Sequence, residues 1–121
     1  MNREIKFRLW HIDKKIFYND FSISMDGTAW YDDGLEAYHL HPTEFMLCQF
    51  TGLKDKNGKE IYEGDIVQRG VILFNRGKFQ GYYYESNGGI AENWEDDLYQ
   101  ENNIEVIGNM YENPELMREG V

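Results

Sequence analysis

Two histidines one residue apart, His39 and His41, are the first place where this chain could do chemistry. On a strand, alternate side chains share a face, so both imidazoles could meet one metal ion, with Asp33, Glu36 or Cys48 completing the set. A structural zinc site ordinarily brings more cysteine, and Pro42 disturbs the local geometry. The pair therefore stands as a metal-site candidate, and no resident metal or cofactor is expected. A second cluster, Glu92, Glu95, Asp96 and Asp97, surrounds Trp94. Helical spacing would put Glu92 and Glu95 or Asp96 on one face, fit to hold Mg²⁺ with waters as in a metal-dependent hydrolase. Acidic runs are more often solvated faces, and no basic phosphate-binding group lies nearby in sequence.

Cys48 sits among Phe45, Met46, Leu47 and Phe50. A nucleophilic thiol wants a cationic, partly exposed setting, so these neighbours mark an inert core cysteine. Neither a nucleophile elbow, nor a Walker A loop, nor a dinucleotide fingerprint occurs, and the expectation is a protein that is not an enzyme. The aromatic runs Trp30-Tyr31 and Tyr82-Tyr83-Tyr84, together with Trp94, could stack bases. On a strand, however, Tyr82 and Tyr84 point one way and Tyr83 the other, so one side faces a core or a subunit contact. Self-association into a homo-oligomer is the better reading, with these six aromatics as candidate interface residues.

Charge supports that choice. The 121 residues carry 12 Lys/Arg against 22 Asp/Glu, a net charge of −10. Residues 1–60 hold 8 cations against 10 anions, and residues 61–121 hold 4 against 12. Phosphate neutralisation supplies most non-specific nucleic-acid affinity, so this balance argues against a general DNA or RNA binder. A partner with a basic surface is compatible, as is an acidic DNA-mimic inhibitor of a host nucleic-acid enzyme. A lone cysteine allows no intrachain disulfide and fits a reducing cytosol. No apolar run approaches the ~20 residues of a membrane span, and no signal-peptide stretch opens the chain.

The elements that would position these residues are mostly strands. Nineteen aromatics and closely spaced glycine turns give the signature of a β-meander or small barrel. Ile5, Phe7 and Leu9 alternate with Lys6, Arg8 and Trp10, which predicts a strand with one apolar face. Asp26-Gly27 and Asn75-Arg76-Gly77 mark hairpins. Residues 45–50 read as a strand, 90–99 as a short helix from the spacing of Ile90, Trp94 and Leu98, and 105–111 as a late strand. Asn113-Pro114 starts a terminal helix.

Residues 50–67 are the most informative stretch. Asn57-Gly58 suits a type I′ turn, in which both central residues take positive φ. Glu63-Gly64-Asp65 is a second bend, of the kind in which an acidic residue closes a loop against backbone donors. Together with residues 3–10 and 105–116, this stretch closely resembles the YopX family of phage and prophage proteins. The three segments cover a little under a third of the chain, spaced across its length, and leave residues 19–44 and 75–103 unmatched.

The resemblance implies a phage-encoded protein in the cytoplasm of a bacterial host, β-rich and self-associating into a ring, and it transfers no catalytic residue. Gly52, Gly58, Gly64, Asp65 and Gly108, with Asn57, read as backbone requirements. The expected fold is mainly β: a small SH3-like or meander barrel with hairpin additions and one or two short helices. A single YopX-like domain over residues 1–121 is expected, with an N-terminal hairpin subregion at 1–44 and a barrel-like core at 45–121. The expected function is that of a non-enzymatic, self-associating protein-interaction module.

Overall fold

The computed structural model describes residues 4–85, 87, 89–95, 98 and 103–118. Its contacts divide the chain into two compact units, Lys6–Gln49 and Phe50–Val121 with Met1–Ile5. Strands dominate, with a curled half-barrel sheet and one short α-helix among the described residues. The expected mainly β, barrel-like class is what the molecule adopts.

The first unit contains β1 (Phe7–His11), β2 (Ile16–Tyr18), β3 (Ser22–Ile23), β4 (Ala29–Asp32) and β5 (Ala37–Leu40). A 3₁₀ turn at Pro42–Glu44 leads into β6 (Phe45–Lys54), which begins in this unit. β1 pairs with β2 and with the start of β6, both antiparallel, placing Leu9 opposite Tyr18 and Leu47. β4 lies between β3 and β5. Leu9, Ala29, Tyr31, Leu40 and Phe45 form the core, flanked by Tyr18, Phe21, Tyr38 and Leu47.

The expected one-faced pattern of residues 5–10 does not hold. Ile5 and Phe7 are exposed, whereas Leu9, Trp10 and His11 are buried in succession. The reason is packing on both faces: Leu9 enters the core, while Trp10 turns the other way onto Phe17 at 4.8 Å between ring centroids. Burial on two faces erases the alternation that a half-buried strand would show.

The second unit takes the end of β6 and adds β7 (Glu60–Tyr62), β8 (Asp65–Val67), β9 (Gly70–Asn75), β10 (Lys78–Tyr84), β11 (Ile90–Asn93) and β12 (Val106–Asn109). A four-residue helix, α1 (Glu115–Arg118), follows. The main sheet is antiparallel in the order β11-β10-β9-β8-β12. Alternation along β8 and β9 feeds two cores. Val67 and Ile72 join Ile61, Phe79, Trp94, Leu98 and Ile104, whereas Ile66 and Val71 join Met117.

Residues 90–93 are strand β11, not the start of a helix. Trp94 and Leu98 do share a core, as their spacing suggested, but Ile90 pairs with Tyr84 along the open edge of β10 and is itself exposed. The Trp94 amide then donates to the Gly81 carbonyl at 2.9 Å. Asp96, Asp97 and Tyr99 lie outside the described residues.

The turn chemistry also differs from expectation. Gly58 has φ +82°, but Asn57 does not share the positive φ that a type I′ turn demands. Instead the Gly58 amide donates to the Asp55 carbonyl, and the Asp55 amide to Lys59, giving a longer hairpin tip. Asp55 explains the choice. Its carboxylate accepts hydrogen bonds from the amides of Asn57, Lys59 and Val106 at 2.8–2.9 Å. The turn with two positive φ values is Arg76-Gly77, at 53° and 83°, between β9 and β10.

Two predictions follow from this packing. A Cβ on Gly81 would lie 2.1–2.3 Å from atoms of the Trp94 indole, so Gly81→Ala should cost about 1–3 kcal/mol by overpacking. Urea denaturation that shows an unchanged midpoint would contradict the close approach.

Burial raises the Asp55 pKa, but the bonds from Val106, Lys59 and Asn57 outweigh it and hold the carboxyl below its ordinary 3.8. A depressed carboxyl stabilises the fold above its unfolded pKa and loses that contribution as pH falls through the folded one. Asp55→Asn should therefore lower the melting temperature at pH 7, and the gap from the wild type should close toward pH 2. Parallel melting-temperature profiles across that range would count against it.

Candidate functional site

The candidate metal ligands are committed elsewhere. His41 caps the 3₁₀ turn: its Nδ1 accepts from the Thr43 amide at 3.3 Å, and its own amide donates to Glu44 at 2.8 Å. His39 packs its ring on Trp30 with centroids 5.2 Å apart. The Asp33 carboxylate accepts from the Leu35 and Glu36 amides and from the Tyr38 hydroxyl, and the two amides hold its pKa below the usual carboxylate value. Cys48 is fully buried. Among the described residues no group of three or more His, Cys, Asp or Glu side chains is placed to hold a metal ion. Of the acidic cluster, Glu92 and Glu95 are exposed, while Asp96, Asp97 and Glu101 lie outside the described residues.

The glycines and their neighbours serve the backbone. Gly52 sits where β6 bulges against β7, between the pairs Phe50–Tyr62 and Lys54–Glu60. Gly64 has φ +89°, and a Cβ there would lie 2.8 Å from the Tyr111 ring. Asp65 is buried and accepts from the Tyr62 amide at 2.8 Å, closing the bend between β7 and β8. Gly108 leaves room for the Asn113 side chain, whose Oδ1 accepts from the Asn109 amide. Asn57 donates its side-chain amide to Glu105 at 3.3 Å.

The aromatics divide. Tyr31 and Trp94 are core residues, and Tyr82 and Tyr84 pack against the cluster of Ile66, Val71 and Met117. Trp30 and Tyr83 are exposed at 44% and 39%. Tyr83 accepts a hydrogen bond from the Arg69 guanidinium at 3.3 Å. Trp30 stands on the outward side of β4, between Ser22 of β3 and His39 of β5, with its indole nitrogen toward the Ser24 hydroxyl at 3.4 Å. Beside it lies a cavity of about 190 Å³ lined by Asp20, Phe21, Ser22, Trp30, Tyr31 and Asp32. Two carboxylates next to an indole face suit a cationic side chain.

A second cavity, about 370 Å³, lies at the far end of the β9–β10 hairpin and is lined by Asn75, Arg76, Lys78, Gln80, Tyr82 and Asn93. Lys78, Gln80 and Tyr82 alternate on one face of β10, and Asn93 stands opposite Tyr82 across the β10–β11 pair. Among the described residues the lining holds two cations, three amides and a phenol, and no carboxylate, imidazole or thiol. Such a set can bind and orient a ligand but offers no ordinary general base. Residue alternation on β10 was legible in the sequence. The role of Asn93 was not, because it depends on residues 90–93 forming a strand.

The YopX protein family matches residues 6–118 of the chain. Among solved structures, one similar in fold is described as the crystal structure of protein EF1440 from Enterococcus faecalis. It has a TM-score of 0.59 and 23% identity, over 96% of this chain and 99% of that one. That likeness shows a shared fold. No curated protein matches the chain in sequence. No described helix is long and apolar enough to cross a membrane. With nearly its whole length matched, the chain belongs to the YopX family.

Proposed function

We propose that this is a non-enzymatic protein-interaction module that self-associates, with a second copy of the chain meeting the outward face of β3-β4-β5. The observation that carries this reading is Trp30. It is a large aromatic left 44% exposed at the centre of a short sheet, preorganised by His39 and Ser24. Aromatics held rigidly at a surface are the residues that dominate association energies. Ile23 on β3 and Met25 in the following turn add exposed apolar surface to the same β-hairpin. The neighbouring Asp20 and Asp32 would receive a Lys or Arg of the partner copy over the indole.

The two cavities support the non-enzymatic part of the reading. Among the described residues, the lining of the β9–β10 cavity has no carboxylate, imidazole or thiol, and the cavity beside Trp30 sets Ser22 with Asp20 and Asp32 but no histidine or cysteine. Family resemblance supports a phage or prophage origin and action in the cytoplasm of a bacterial host.

Sedimentation velocity across a concentration series tests the proposal. The wild type should form a defined oligomer by high micromolar concentration. Trp30→Ala should raise the concentration for half-assembly by at least tenfold, as expected of a central anchor. Because Trp30 lies outside the cores, the variant should keep its melting temperature. A wild type that stays monomeric, or assembly indifferent to Trp30→Ala, would remove the proposal.

A further inference from the structure

We infer that the cavity at the end of the β9–β10 hairpin is a binding site for a small, hydroxyl-bearing phosphate monoester. The inference is independent of self-association, since it concerns other residues. Its starting point is charge. In a chain of net charge −10, Arg76 and Lys78 line one cavity, and among the described residues neither has an ion-pair partner and no carboxylate shares the lining. Two cations lining one cavity both attract an oxyanion placed between them.

The backbone points the same way. Arg76 occupies the first central position of the type I′ turn with φ 53°. Asn or Gly accepts that conformation more readily than any long side chain. An arginine at such a position costs the hairpin stability and places at the rim of the cavity a guanidinium, a group able to meet two phosphate oxygens at once. Lys78, directly across the turn from Asn75, contributes a second positive charge from the same end.

The remaining lining sets what must accompany the phosphate. Asn75 donates its side-chain amide to the Tyr82 hydroxyl at 2.9 Å, which leaves the phenolic proton available to a ligand. The Asn93 side-chain amide donates to the Trp94 carbonyl at 3.0 Å, which leaves its Oδ1 as an acceptor. Gln80 presents both an acceptor and a donor. Acceptors beside an anion site suit the hydroxyls of a sugar. A volume of about 370 Å³ falls within the range of small-ligand cavities. Carboxylate-rich peptides would use the cations but leave the amide acceptors unmatched.

Calorimetric titration of the full chain at low salt tests this with four probes: ribose 5-phosphate, ribose, inorganic phosphate and triglutamate. Ribose 5-phosphate should bind most tightly, inorganic phosphate more weakly, and ribose least. Arg76→Asn should weaken ribose 5-phosphate at least tenfold while keeping or raising the melting temperature, since Asn suits the turn. Lys78→Gln should weaken it without changing the fold. The inference is overturned if ribose 5-phosphate does not bind at millimolar concentration, if ribose matches it, if triglutamate binds more tightly, or if Arg76→Asn leaves affinity unchanged.

Discussion

The unit built from residues 50–121 depends on the attachment of its last strand to the hairpin at 55–65. β12 pairs with β8, placing Asn109 opposite Asp65 and Gly108 opposite Ile66. Around that pairing the Met110 amide donates to the Gly64 carbonyl, the Lys56 amide to Ile104, and the Val106 amide to the Asp55 carboxylate. These bonds join residues some fifty positions apart, so each must offset the entropy of closing a long loop. Asp55 ties the local turn to that closure, because its one carboxylate accepts from the amides of Asn57 and Lys59 as well as from the distant Val106.

Everything between the joined ends is arranged by that closure. With β8 held on one side by β12, β9 and β10 extend the sheet on the other, and β11 takes the last open edge. Both faces are then covered. Trp94 seals one by lying on Gly81, and Met117 from α1 seals the other. The hairpin tip at Arg76-Gly77 projects from this two-sided frame, and its neighbours leave the polar cavity on the β10 face. In the unit of residues 6–49, a separate core of tyrosines and aliphatics supports β4, whose outward positions carry Trp30 and Asp32.

Much of the fold was legible because its signals are local. Asx-Gly and Arg-Gly turns, aromatic runs and glycine spacing located nearly every strand, and Asn113-Pro114 announced α1. The misread places are those where a distant partner decides. Residues 90–93 carry helix-like spacing but complete the edge of β10. Asn57-Gly58 has the composition of a two-residue turn, but Asp55 captures the neighbouring amides and sets a longer one. Residues 9–11 are buried together because two layers cover β1.

For the candidate sites, the chain by itself determined residue supply: the acidity, the histidine pair, the aromatics and the scarcity of catalytic groups. It also determined the family, through three segments whose glycines and acids answer backbone needs. Only the tertiary structure decided which of those residues remain available. It committed His41 to a cap and Asp33 to a turn, turned Tyr31 and Trp94 inward, left Tyr82 and Tyr84 partly buried, and left Trp30 outside. It also brought Asn93 to Arg76, Lys78 and Gln80, a grouping set by strand register. Register is a non-local property, since it is fixed by which face of each strand finds a core, and no short stretch of sequence contains it.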